Sequence, residues 1–283
     1  LTSSGVFVTI LKTTNLKHHL CLTLRRFDKG GVDMYKSLIL LGMILSLMLA
    51  AVPAAAMDLG VRAYYWMPGL DGDMNYDSGD KLDLEDDLGM DKESYPMVDI
   101  FAGFGNHHLL FTYYKADYSG SERLKDTIEF GGTDFPAGAD LDSELEYTVM
   151  DFAYQWDAID LENILAGSSL GLVGKVKYMD ITSAKLEGGG ESEEVDVSGP
   201  IPMLGANLHV GILADIIEAR FQVTGMGYGG NSVVEYFGDI SYTPFPFVGI
   251  HAGYRSFAVN VDVDDLDASF TTAGPYGAIT IGF

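Results

Sequence analysis

Thirteen charged residues of this chain stand at alternate positions within apolar runs: Arg62, Asp99, Lys115, Asp117, Glu144, Glu146, Lys175, Lys177, Glu218, Arg220, Glu235, Asp239 and Arg255. The clearest case is Ile217 to Tyr228, where Glu218, Arg220, Gln222 and Thr224 alternate with Ala219, Phe221 and Val223. Side chains of a strand alternate between its two faces, so such a run has one polar face and one apolar face. Charges taken out of water must be paired. Six basic against seven acidic residues point to an interior that neutralises itself, as a plug or as the wall of a narrow polar passage.

Other residues suggest other chemistry. Asp71, Asp73, Asn75 and Asp77 alternate oxygen ligands as a calcium loop does. An EF-hand also needs Gly at its sixth position and Glu at its twelfth. Tyr76 and Leu82 stand there instead, leaving a loose divalent-cation contact as the expectation. A hydrolase would need His beside a carboxylate, with Ser or a water as nucleophile. After residue 56 the chain has His107, His108, His209 and His251. The first two fall in a tight turn and the others near strand ends, with no Ser–His–acid spacing, so the expectation is no enzyme and no cofactor. The only Cys, Cys21, lies upstream of this region, which therefore has no thiolate metal site or disulfide framework.

The elements that carry these residues read as strands. Ten segments alternate, starting near Leu59, Met97, Leu109, Asp142, Leu170, Val195, Ile217, Val234, Phe247 and Gly274. No apolar run after residue 56 approaches the ~20 residues of a helical span, whereas a spanning strand needs only ~9–11. Gly105-Asn106-His107 and Gly229-Gly230-Asn231 are tight turns. Asp71–Glu93, Gly131–Gly138, Gly188–Glu194 and Asp262–Asp267 read as longer or acidic loops. In Asp142–Trp156 the apolar parity changes, which suggests a bulge near Met150. Spanning strands must pair every backbone group, and a closed sheet does so. The fold expected is all-β: a closed antiparallel up-and-down transmembrane β-barrel of about ten strands, with eight to twelve possible.

The N-terminal part is different. Met34–Lys36, the apolar run Ser37–Leu49 and the small residues Ala54-Ala55-Ala56 have the layout of a secretory signal peptide cleaved between Ala56 and Met57. Residues 1–33 read as untranslated sequence upstream of a start at Met34, because Lys29-Gly30-Gly31 is what a ribosome-binding site spells when translated. Residues 57–283 then form the barrel. Of 17 Lys and Arg and 41 Asp and Glu, six and two lie before residue 57, leaving 11 basic and 39 acidic. Nucleic acid is excluded as a partner by that balance.

Several stretches resemble a group of small outer-membrane β-barrel proteins from Gram-negative bacteria. They are Tyr65–Asp73, Leu84–Asp91, Glu162–Gly167 and Tyr242–Phe247. The last strand, with Ile279, Ile281 and Phe283 on one face, resembles the closing strand of such barrels. That likeness implies a Gram-negative outer-membrane location and recognition of the C-terminal strand by the barrel-assembly machinery. It also implies a monomer among lipid and lipopolysaccharide. It implies no reaction. The function expected is structural, or passage of a small solute through a charge-lined lumen. The alternatives are a barrel enzyme acting on lipid or peptide and a secreted soluble β-sandwich, which would also alternate.

Overall fold

The computed structural model describes residues 57–282, apart from 77–79, 91, 162–166, 214–215 and 264–265. The signal segment with Ala56, the sequence before it, Asp77 and Phe283 lie outside the described residues; Met57 is the first residue of β1.

The strands are β1 (Met57–Trp66), β2 (Gly69–Tyr76), β3 (Leu82–Asp83), β4 (Tyr95–Phe104), β5 (His107–Arg123), β6 (Ile128–Phe130), β7 (Thr133–Phe135), β8 (Asp140–Asp160), β9 (Ser169–Gly188), β10 (Glu191–Leu213), β11 (Ile217–Tyr228), β12 (Asn231–Phe245), β13 (Val248–Val263) and β14 (Leu266–Gly282). Each main strand pairs antiparallel with the next, and β14 returns to β1, from Gly60 opposite Gly282 to Trp66 opposite Tyr276. The sheet is closed. β2 continues β1 beyond Met67-Pro68 and pairs with the upper part of β14, so the two form one stave. Proline has no N–H to give to a ladder, which accounts for the break there. The barrel therefore has ten staves, and the soluble sandwich is set aside.

Each stave turns apolar side chains outward. Val61, Ile100, Phe111, Phe152, Leu172, Leu208, Phe221, Tyr236, Tyr254 and Ile279 supply one example per stave, all of them exposed on the outer surface. A water-soluble protein does not carry a continuous apolar belt of this kind, and a bilayer requires one. Among the described residues no helix is long and apolar enough to cross a membrane; the crossing is made by strands.

The strands are longer than a bilayer needs. β8 has 21 residues and β10 has 23, about twice the ~9–11 that a spanning strand uses. The excess projects past the end opposite the β1 start, and there the two faces exchange character. On β8, Phe152, Tyr154 and Trp156 face out near the terminal end, while Glu144, Glu146 and Thr148 face out at the loop end. The inner face changes in the opposite sense, from Asp151 to Val149, Tyr147 and Leu141. This corrects the bulge expected near Met150. β8 pairs with β5 without a register shift from His107 opposite Trp156 to Arg123 opposite Asp140. What changes is the surroundings of each face. The β8–β9 ladder has two register shifts, with Thr182 the extra residue on β9 between the pairs Glu146–Ser183 and Tyr147–Ile181, and Ala158 the extra residue on β8 between Asp157–Gly171 and Ile159–Leu170.

The loop readings are corrected too: β2 and β3 run into Asp71–Glu93, and β7 lies within Gly131–Gly138. The acidic stretch after Gly188 is strand: β9 and β10 meet at the two-residue turn Gly189-Gly190, both with positive φ (63° and 94°). That conformation is the one a tight hairpin turn requires. β13 and β14 likewise extend to Val263 and from Leu266.

The loop end is filled. After β3 the chain folds inward, burying Leu82, Leu84, Leu88 and Met90 against Tyr118, Phe130, Phe135, Leu141 and Leu186. Ser143 Oγ donates to the Leu88 carbonyl at 2.6 Å. The inward segment lies so close to β5 that a Cβ added at Gly120 would sit 2.0 Å from that carbonyl oxygen. Replacing Gly120 with valine is expected to push residues 82–90 out of the barrel mouth. Trypsin cleavage after Lys81 should then accelerate while the unboiled protein still migrates as a folded barrel on a gel. Unchanged cleavage would show that the segment is held by something other than this contact.

Candidate functional site

The lumen is an enclosed polar region, and it is layered along the barrel axis. At its middle lies a cluster of five charges. Lys175 and Lys177 come from β9, Asp151 from β8, Glu235 from β12 and Arg255 from β13, all at inward positions. Lys175 Nζ donates to Glu235 Oε2 at 2.8 Å. Lys177 Nζ lies 2.9 Å from both Asp151 Oδ2 and Glu235 Oε2. Arg255 donates to Glu235 Oε1 through Nη2, which is also 3.6 Å from Asp151 Oδ2. All five are buried, Lys177 completely. The cations are also covered by ring faces: Lys177 Nζ is 4.9 Å from the Phe257 centroid and Arg255 Cζ is 5.7 Å from that of Trp66.

A second layer lies toward the terminal end. Arg220 donates to Asp239 Oδ2 at 2.8 Å, and Tyr276 OH donates to the same oxygen at 2.8 Å. Asp99 accepts from Thr112 Oγ1 at 2.7 Å and from Tyr64 OH, with Arg62 Nη1 at 3.8 Å. Arg62 Nε donates to Thr280 Oγ1 at 2.8 Å. Between the two layers the remaining void is about 20 Å³, room for a single water. Above the charges the lumen holds Trp66, Tyr95, Tyr114 and Tyr147. Tyr95 and Tyr114 stack at 5.7 Å, and Trp66 meets both edge-on.

Below the charges the lumen widens into a vestibule of about 540 Å³ at the terminal end. Phe101, Leu110, Ala153 and Val173 line it from β4, β5, β8 and β9. Across from them stand His209, Glu218, Ser241, His251 and Thr280. Glu218 lies 3.4 Å from His209 Nε2 and accepts from Ser241 Oγ at 3.4 Å. Asp157 lies 3.1 Å from His108 Nε2 and accepts from Gln155 at 2.6 Å and Ser169 at 3.1 Å. A nucleophile–base pair puts a hydroxyl on the His. At Glu218 the carboxylate stands between Ser241 and His209, the reverse of that order, whereas Thr280 Oγ1 lies 2.8 Å from His251 Nε2 with Asp239 Oδ2 3.9 Å from Nδ1 of the same ring. His107, by contrast, sits at the turn, with Nδ1 2.6 Å from Tyr154 OH.

Nine of the thirteen charges named from the sequence lie on the inner face: Arg62, Asp99, Lys175, Lys177, Glu218, Arg220, Glu235, Asp239 and Arg255. Four do not. Lys115, Asp117, Glu144 and Glu146 lie on the outer face beyond the apolar belt, where Lys115 Nζ meets Glu146 Oε1 at 2.9 Å. The assumption that an outward face is always apolar fails once a strand leaves the bilayer. Asp151, Tyr64, Thr112 and Tyr276 are lumen residues that the sequence reading missed. Asp151 had a signal: it alternates with Met150 and Phe152, and the supposed bulge at Met150 concealed it.

The calcium-loop expectation is also corrected. Gly69–Tyr76 is a strand, so Asp71, Asp73 and Asn75 are spaced along it at about 7 Å per two residues and do not converge. Asp73 is held instead by Lys81 at 2.9 Å, and that hydrogen bond raises the pKa of the Lys81 ammonium above its ordinary value. Among the described residues no group of three or more His, Cys, Asp or Glu is placed to hold a metal ion. Ile279 and Ile281 face out, about half exposed, as the apolar face of the last strand requires.

No protein-family model matches the sequence. No curated protein matches it significantly. Among solved structures the barrel is similar to the translocator domain of the autotransporter NalP from Neisseria meningitidis, at 10% identity over 87% of this chain and 96% of that chain, with a TM-score of 0.38. It is similar to the Pseudomonas putida toluene transporter TodX, at 8% identity over 83% and 91% of the two chains and a TM-score of 0.33. It is similar to Ail of Yersinia pestis, crystallised with the heparin analogue sucrose octasulfate, at 12% identity over 78% and 98% and a TM-score of 0.32. These likenesses are too weak to transfer any property. The closed ten-stave sheet and its apolar belt are what make this chain an outer-membrane β-barrel.

Glu235 touches all three cations of the central cluster, which sets an order of stabilities. Removing one partner of a buried charge cluster costs about 3–5 kcal/mol. Glu235→Gln leaves three cations facing Asp151 alone and should destabilise by about that amount. Lys177→Met leaves two cations facing two carboxylates and should cost less. Denaturant titration of the refolded barrel reads the difference, and equal losses would mean that charge balance is not what holds the layer.

Proposed function

We propose that this protein is a structural outer-membrane barrel closed by its own charges, and that it does not conduct. The observation that carries this reading is the mid-lumen void of about 20 Å³ between two layers of paired charges. Arg62, Arg220, Lys175, Lys177 and Arg255 stand against Asp99, Asp239, Asp151 and Glu235 in those layers, five cations and four carboxylates across one lumen. A hydrated ion crossing there must break several short ion pairs and then pass the aromatic layer and the buried Leu82–Met90 segment. The barrel is taken to act as a monomer in lipid and lipopolysaccharide, assembled through the C-terminal strand, whose Ile279 and Ile281 face outward.

The purified wild type is expected to be electrically silent in a planar bilayer, while Lys175→Ala/Lys177→Ala combined with Gly120→Val should give discrete conductance steps. Steps of fixed size from the wild type would overturn the reading and make the lumen a small-solute pore.

A further inference from the structure

The vestibule at the terminal end is not needed to close the barrel, and its two walls differ in chemistry. Phe101, Leu110, Ala153 and Val173 form an apolar side drawn from four consecutive main strands. The opposite side and the rim carry charge, but the two signs are not equally free. Arg62 and Arg220 already have Asp99 and Asp239 as partners. Glu218 and Asp157 have only neutral hydrogen-bonding groups and His beside them, with no Lys or Arg paired to either among the described residues. His251 also lines the vestibule, 8% exposed, with its Nδ1 3.9 Å from Asp239 Oδ2, too far for a hydrogen bond. Its other nitrogen is taken by Thr280 Oγ1 at 2.8 Å.

We propose that the vestibule binds a small organic cation, an ammonium group carried on an apolar body. The apolar wall would take the body, and Glu218 and Asp157 would take the ammonium. An anionic ligand meets guanidinium groups that already have a carboxylate beside them, Asp99 at 3.8 Å from Arg62 and Asp239 at 2.8 Å from Arg220, with Nε of Arg220 left without a hydrogen bond, together with carboxylates that repel it. The volume of about 540 Å³ is that of a pocket for one small molecule. The proposal does not depend on the barrel being closed, since the vestibule lies on the terminal side of both charge layers.

Calorimetric titration of the folded barrel in detergent tests it with three probes of similar size: 2-phenylethylamine, 2-phenylethanol and 3-phenylpropanoate. The amine should bind at one site, the alcohol about tenfold more weakly or worse, and the carboxylate not at all. Glu218→Gln/Asp157→Asn should bring the amine down to the level of the alcohol and leave the alcohol unchanged. Leu110→Ala should weaken both alike. The heat-dependent gel shift establishes that each variant is folded. If the double variant is not, the single Glu218→Gln is read against Leu110→Ala in the same way. Equal binding of amine and carboxylate, or amine affinity unaltered in the charge variants, would overturn the proposal. A conducting wild type that still prefers the amine would sink only the closed-barrel reading.

Discussion

Everything in this molecule depends on backbone pairing at the seam between β1 and β14. In hydrocarbon an unpaired N–H or C=O costs several kcal/mol, so an open sheet edge is not an option. The seven consecutive pairs from Gly60–Gly282 to Trp66–Tyr276 remove the edge on one side of Pro68. β2 takes over on the other, from Ala273–Gly69 to Leu266–Tyr76. The imino nitrogen of Pro68 interrupts the ladder at one point. Near it, Trp66 Nε1 donates to the Gly274 carbonyl at 3.1 Å, tying the stave to β14 from inside. With the edge gone, the outer face is free to be apolar, and the lumen becomes a space the protein must fill itself.

The filling follows the membrane. Where the outer face meets lipid, the inner face carries the polar and charged residues, and these satisfy one another at 2.8–2.9 Å in the ion pairs around Lys175, Lys177 and Asp239. Where the strands emerge into water, the outer face turns polar and the inner face becomes a conventional apolar core of Leu, Phe and Tyr. The aromatic layer joins the two regimes. Trp66 and Tyr114 offer ring faces to Arg255 below and apolar edges to Tyr95 and Tyr147 above. A cation that has already lost its water gains from a ring face as well as from a carboxylate, which explains why the charges and the aromatics adjoin.

Legibility varied along the chain for identifiable reasons. β11 is readable residue by residue, and β14 from Gly274 on, because the alternation there is uninterrupted: Glu218, Arg220, Gln222 and Thr224 face in, and Ile279 and Ile281 face out. β8 is hard to read because its two faces exchange polarity part-way. Without knowing where the bilayer ends, an exchange of polarity looks the same as an exchange of parity. The hairpin at Gly189-Gly190 reads as a loop from sequence because its strands are acidic, and acidic strands are ordinary once the outside is water. The segment Leu82–Met90 carried no sign that it turns inward, since that depends on how much apolar wall β5, β8 and β9 leave uncovered.

The sequence by itself determined the all-β class, a count of about ten main strands, the lipid-facing side of most strands within the bilayer though not of β5, and most of the lumen charges. All of these are local consequences of a two-residue period. Only the tertiary structure decided which charges meet, that Glu235 gathers three cations from two other strands, that the loop end is plugged, and that a two-walled vestibule remains at the terminal end. Those features arise between staves far apart in sequence, such as Lys175 and Glu235 or Tyr64 and Asp99. Their partners are chosen by curvature and register around a closed sheet, and neither is written in the spacing along any single strand.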